Sequence, residues 1–231
     1  MADEAIPTLQ AFTERNPSKT EALTALNELQ AASGDIDAAR KTLEKLATYS
    51  ETEKRDALIA MSELDLQAGD LEAAQNHLSE ALKLNANDAD THERLGDILR
   101  KRRMYREAAN NYETAFQIDD RNYIAAFKEA TCLSILGSNK EADELYVKIV
   151  TSATDETLVI KAAQRAIDDH AWLGTLDELS SAFMPLIHSK QRKALYLEIL
   201  LRLADAQTQQ HVLAILTRDS AHVMPAHHAL E

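Results

Sequence analysis

The chain has 231 residues, with 38 acidic and 25 basic side chains and a formal charge of −13. Such a field repels phosphate backbones, so nucleic acid is excluded as the expected partner and neutral or basic proteins are favoured. A single cysteine, Cys132, excludes an internal disulfide, and with only 5 Gly, 4 Pro and few aromatics the composition favours helix over sheet.

The first predicted element is a lone helix at 4–15, ended by Asn16-Pro17. Helices at 19–33 and 36–49 form a first pair, and 54–68 with 71–84 a second. A third pair is 89–102 with 105–118, and a fourth is 123–136 with 140–151. The second helix of each pair is amphipathic at i, i+3, i+4 spacing, as a stacking layer requires. Helices at 157–171 and 175–188 follow, the latter bent or ended by Pro185. The stretch 190–206 is apolar on more than one face, which implies cover on two sides. A short helix at 209–217 and a frayed turn around 222–229 close the chain.

One period runs through this series. Ala74, Ala108 and Ala142 are separated by 34 residues, as are Leu78, Tyr112 and Tyr146. Ala39 and Leu43 precede Ala74 and Leu78 by 35, and Ala5 and Leu9 stand a further 34 residues back. A small residue on the second helix lets the first approach closely, and the large one a turn later fills the gap. Gly34, Gly69, Gly137 and Gly174 fall in turns between paired helices, and Gly96 is a close-contact residue within one. None is left for a phosphate-cradling loop.

The best-preserved unit is residues 90–120, with His92-x2-Leu95-Gly96-x2-Leu99 followed by Ala108-x3-Tyr112-x2-Ala115. This pattern resembles a tetratricopeptide repeat. The resemblance covers about residues 4–153 as half a repeat plus four, with degenerate tetratricopeptide or HEAT-like pairs over 154–231. It implies an all-α, right-handed superhelical solenoid of antiparallel helix pairs. A series that opens on half a repeat is expected to be part of a longer protein, and Met1-Ala2 and Leu230-Glu231 resemble added ends.

In this family the first helices line a concave groove that binds a peptide, a helix or a partner subunit. Phase with Leu95-Gly96 places Asp56, Glu63, Asp90, Glu93, Arg94, Asp97, Phe127 and Lys128 there as candidate partner-binding residues. The first repeat adds Glu21, Thr24, Ala25, Glu28 and Ala31. The groove is acidic at its start and apolar later, so a protein or peptide with basic and apolar side chains complements it. One subgroup grips a C-terminal carboxylate from these helices. The matching positions here are Thr24, Glu28, Ala60, Asp90 and Arg94, and only Arg94 suits that ligand. The other reading is a structural spacer within a large protein, with no ligand of its own.

Arg100 to Arg106 is the one basic cluster. It reads either as cations favoured at a helix C-terminus or as a patch for an acidic partner, including another copy of the chain. His92-Glu93 begins like a zinc-protease motif, but Gly96 stands where the second His belongs. His92 instead takes the family's Trp position and is expected to be packing. His222, His227 and His228 straddle Pro225 without a nearby cysteine, and Asp168-Asp169-His170 ends a helix, so no metal or cofactor is expected. Cys132 and Trp172 are expected in the core. No Ser/His/Asp or Cys/His set is marked out, and the chain is not expected to be an enzyme. With no basic–apolar leader and no apolar run long enough to span a bilayer, neither membrane insertion nor secretion is expected, and the expected compartment is the cytoplasm.

Overall fold

A computed structural model describes residues 2–168, and every regular element among them is an α-helix. The ten helices are α1 (Ala2–Arg15), α2 (Thr20–Ala32), α3 (Ile36–Leu46), α4 (Glu51–Ala68), α5 (Leu71–Leu84), α6 (Ala89–Lys101), α7 (Tyr105–Ile118), α8 (Tyr123–Ile135), α9 (Asn139–Ser152) and α10 (Glu156–Asp168). The expected helices at 175–188, 190–206 and 209–217, the turn at 222–229, Trp172, Gly174 and the terminal histidines lie outside the described residues.

Helix starts follow the capping chemistry of the sequence. Asp35, Asp70 and Asp88 accept from the backbone N–H of Ala38, Ala73 and Thr91 at 3.1, 2.9 and 3.2 Å, each satisfying a donor with no intrahelical partner. α4 begins three residues before the expected Lys54, because Ser50 caps it, its Oγ accepting from Glu53 N–H at 3.3 Å and donating to the Glu53 carboxylate. α3 stops at Leu46 instead of Tyr49. Thr48 N–H and Tyr49 N–H turn back to the Lys45 and Leu46 carbonyls, tightening the last turn.

The chain divides into two compact units at Ala125/Ala126, inside α8. In the first, contact runs mainly between successive helices: α2 on α3, α4 on α5 and α6 on α7 within pairs, with α1·α2, α3·α4 and α5·α6 joining one layer to the next. This is the one-dimensional stacking of a repeat protein, where each layer buries the apolar face of the last. The periodic residues form its core. Ala39, Ala74, Ala108, Leu43, Leu78 and Tyr112 are all almost fully buried. In the second unit α9 packs on α10, Ala142 and Tyr146 are buried in the same way, and the Phe127 ring tilts against Tyr146 at 6.0 Å. Cys132 is buried and unbridged.

Two positions need glycine or its conformation. A Cβ on Gly96 would lie 2.6 Å from Tyr112 Cε1, so the ring seats directly on the backbone of α6. The turn between paired helices is left-handed in each repeat, at Gly34, Gly69 and Gly137, but in the third repeat the residue is Arg103 with φ of 62°.

Candidate partner-binding face

The first helices of successive pairs meet side by side in unit 1. Arg94 of α6 donates through Nε to Asp90 Oδ2 at 2.6 Å and through Nη1 to Glu63 Oε1 of α4. Burial opposes charge on Arg94, and the two carboxylates outweigh it, so its pKa is raised. Arg94 thus joins an i,i+4 pair within α6 to a bridge across to α4. This engages the guanidinium that sequence alone offers to a carboxylate ligand, so such a ligand would have to displace Asp90 and Glu63.

The other candidates separate by environment. Asp56 and Asp90 are exposed, and Asp56 accepts two hydrogen bonds from Arg55 at 3.0 and 2.7 Å. Glu93 is half-buried and accepts from Asn122 Nδ2 at 2.7 Å, tying α6 to the turn before α8. Asp97 accepts from the Tyr112 hydroxyl at 2.8 Å, with Arg100 at 3.8 Å. Burial, reinforced by Asp97, pushes the Tyr112 phenol well above its usual pKa. Phe127 and Lys128 are half-buried and belong to the second unit.

Between α2 and α4 the same face opens into a cleft of about 310 Å³, lined by Asn27, Glu28, Ala31, Ala32, Ala60, Glu63, Leu64 and Gln67. Glu28, Ala31 and Glu63 are among the phase-derived groove positions. Asn27 is not, and its signal lay in the repeat alignment. It occupies the column of Ser62, Gly96 and Ala130, where the other repeats carry a small residue.

Elsewhere polar groups are absorbed by the fold. Asp65, almost fully buried, accepts from Arg40 Nη2 at 2.7 Å and bonds His77 Nδ1 at 2.6 Å, joining α3, α4 and α5. His92 contacts Asn111 Oδ1 at 3.0 Å and the Ala86 carbonyl at 3.1 Å, so both ring nitrogens are engaged in packing. In the basic cluster Arg102 bonds Gln75 Oε1, whereas Lys101, Arg103 and Arg106 are exposed. Among the described residues no cluster of His, Cys, Asp and Glu could hold a metal ion, and no helix is long and apolar enough to cross a membrane.

Stacked antiparallel helix pairs with a 34-residue period, a close-contact Gly96 and a left-handed inter-helix turn define a tetratricopeptide-like helical-repeat protein of the solenoid class. Residues 1–166 match the family described as the tetratricopeptide repeat protein 21 C-terminal ARM domain, and the chain belongs to that family. A structure of MamA superposes with a TM-score of 0.56 at 18% identity, over 72% of this chain and 91% of that one. A structure of YrrB does so with a TM-score of 0.54 at 14% identity, over 89% and 97%. At these identities the likeness establishes the fold. No curated protein sequence matches the chain.

Proposed function

We propose that the chain is a protein-interaction scaffold whose partner, a peptide, helix or subunit, lies along α2, α4 and α6. The observation that carries this reading is the charge balance of the face. Arg94 is already held by two carboxylates, and Glu28, Asp56, Glu63 and Asp90 are exposed. Basic partners are therefore attracted and acidic ones repelled. The described YrrB structure is that of a tetratricopeptide protein with an unusual peptide-binding site, which is in keeping with a peptide ligand here. The role assigned is binding, with no catalytic step.

Selection from a display library of random peptides, using the full chain as bait, tests this. Basic, leucine-rich sequences are expected, and Glu63→Lys with Asp90→Lys should abolish their capture while α-helical circular dichroism is retained. Peptides captured equally well by that double variant would contradict the assignment.

A further inference from the structure

We propose that the open side of α1 is a docking site for an amphipathic helix of a partner protein, laid against α1 as α2 lies against α3. This surface is separate from the α2–α4–α6 face and does not depend on it.

Three sequence columns carry the packing of the second helices. They hold Ala39, Leu43 and Leu46 in α3, Ala74, Leu78 and Ala81 in α5, and Ala108, Tyr112 and Ala115 in α7. Every one of these residues is 3% exposed or less. Such burial takes cover from two sides. Ala39, Leu43 and Leu46 share one apolar cluster with Leu23 of α2, in their own pair, and with Ala57, Met61 and Leu64 of α4, in the next. In the third repeat Tyr112 likewise seats on Gly96 of its own pair.

α1 carries the same columns as Ala5, Leu9 and Phe12, which stand 34 residues before Ala39, Leu43 and Leu46. α2 covers it from the next layer. Among the described helices, none stands to α1 as α2 stands to α3. Ala5 and Leu9 are accordingly only half-buried, and Phe12 is 45% exposed. Positions that the fold closes in three repeats are open in this one, and apolar surface left in water favours a cover.

The filled copies of the contact specify what fits. In each, the cover is a helix, of 13 residues in α2 and α6 and 18 in α4. Each presents buried apolar side chains at i, i+3 spacing: Leu23 and Leu26, Met61 and Leu64, Leu95 and Ile98. A helix with that stripe continues the stacking interface and is recognised by its apolar anchors. A second copy is a poor occupant, because its α2, α4 and α6 are already paired and both chains carry −13.

The full ¹⁵N-labelled chain, titrated by NMR with an acetylated and amidated peptide of residues 19–33, tests the site. That peptide is the α2 sequence, and its twin carries Leu23→Asp and Leu26→Asp. The first should shift the Ala5, Leu9 and Phe12 amides, and the twin should not. Phe12→Glu in the chain should weaken binding at least about tenfold with Tm unchanged, since the ring is open in the free chain. Equal binding of the two peptides, or α1 amides that the first leaves unshifted, overturns the site. If the α1 amides of the chain alone shift on dilution and the peptide adds nothing, a second copy holds the face and the assignment falls. Should Phe12→Glu lower Tm, the comparison of the two peptides on the parent chain still decides.

Discussion

The second and third repeats reach the same layer by opposite means. α4 and α5 meet with Ser62 and Leu78 in the contact columns, and their turn is Gly69-Asp70, a left-handed glycine followed by a capping carboxylate 2.9 Å from Ala73 N. α6 and α7 meet with Gly96 under the Tyr112 ring, but their turn is Arg103-Met104, which strains a side chain at φ of 62° and offers no side-chain cap. The repeat that most resembles its family in sequence thus seats an aromatic ring on glycine backbone yet has the less favourable turn. Interlayer packing and turn chemistry are independent contributions, and a consensus reading tracks the first far better than the second.

The strongest way to break the comparison is Ala108→Arg. Ala108 is 0% exposed where α7 meets α6, and forcing volume and charge there should cost about 3 kcal/mol or more. An unchanged melting curve would mean that the 34-residue frame is misplaced. Gly96→Ala comes next, at about 1–3 kcal/mol, since the methyl meets the Tyr112 ring. Adding Tyr112→Leu, the second repeat's solution, should recover part of that loss in a double-mutant cycle. If the two changes are simply additive in urea melts, the ring does not seat on Gly96.

Exchanging the turns sharpens the contrast. Gly69→Arg should destabilise by about 1 kcal/mol and Arg103→Gly should stabilise by about the same amount, because only the glycine enters the left-handed region freely. Shifts of Tm with the same sign for both would contradict the account. The smallest effect is alkaline. The folded Tyr112 phenol has its pKa raised above the usual 10.0, so the unfolded chain loses that proton first. Its contribution is constant below the ordinary value and is lost as pH rises above about 10. Tm should therefore fall less steeply in Tyr112→Phe than in the parent chain over that range, and parallel curves would exclude the effect.

Helix positions were legible because period, small-residue columns and turn glycines all bear on the same contacts. α5 and α7 match the expected 71–84 and 105–118. The start of α4 was legible too, in Ser50-x2-Glu53, but apolar phase alone places it later. The face was legible only in part. Phase puts Glu63, Asp90 and Arg94 on the same surface, but it does not show that a residue 31 positions away holds the guanidinium. Asp97 and Glu93 share that phase, yet they reach Tyr112 and Asn122, because hydrogen bonding depends on side-chain direction as well as helical angle. Asn27 was hidden by the one-residue change of period between the first two repeats, which sets it among Ser62, Gly96 and Ala130.

The most direct measurement of the central claim is amide hydrogen exchange of the full chain with and without a saturating library-selected peptide. Added protection concentrated in α2, α4 and α6, with α3, α5 and α7 unchanged, is the predicted result. Protection confined to α3, α5 and α7 would place the partner on the opposite helices and contradict it.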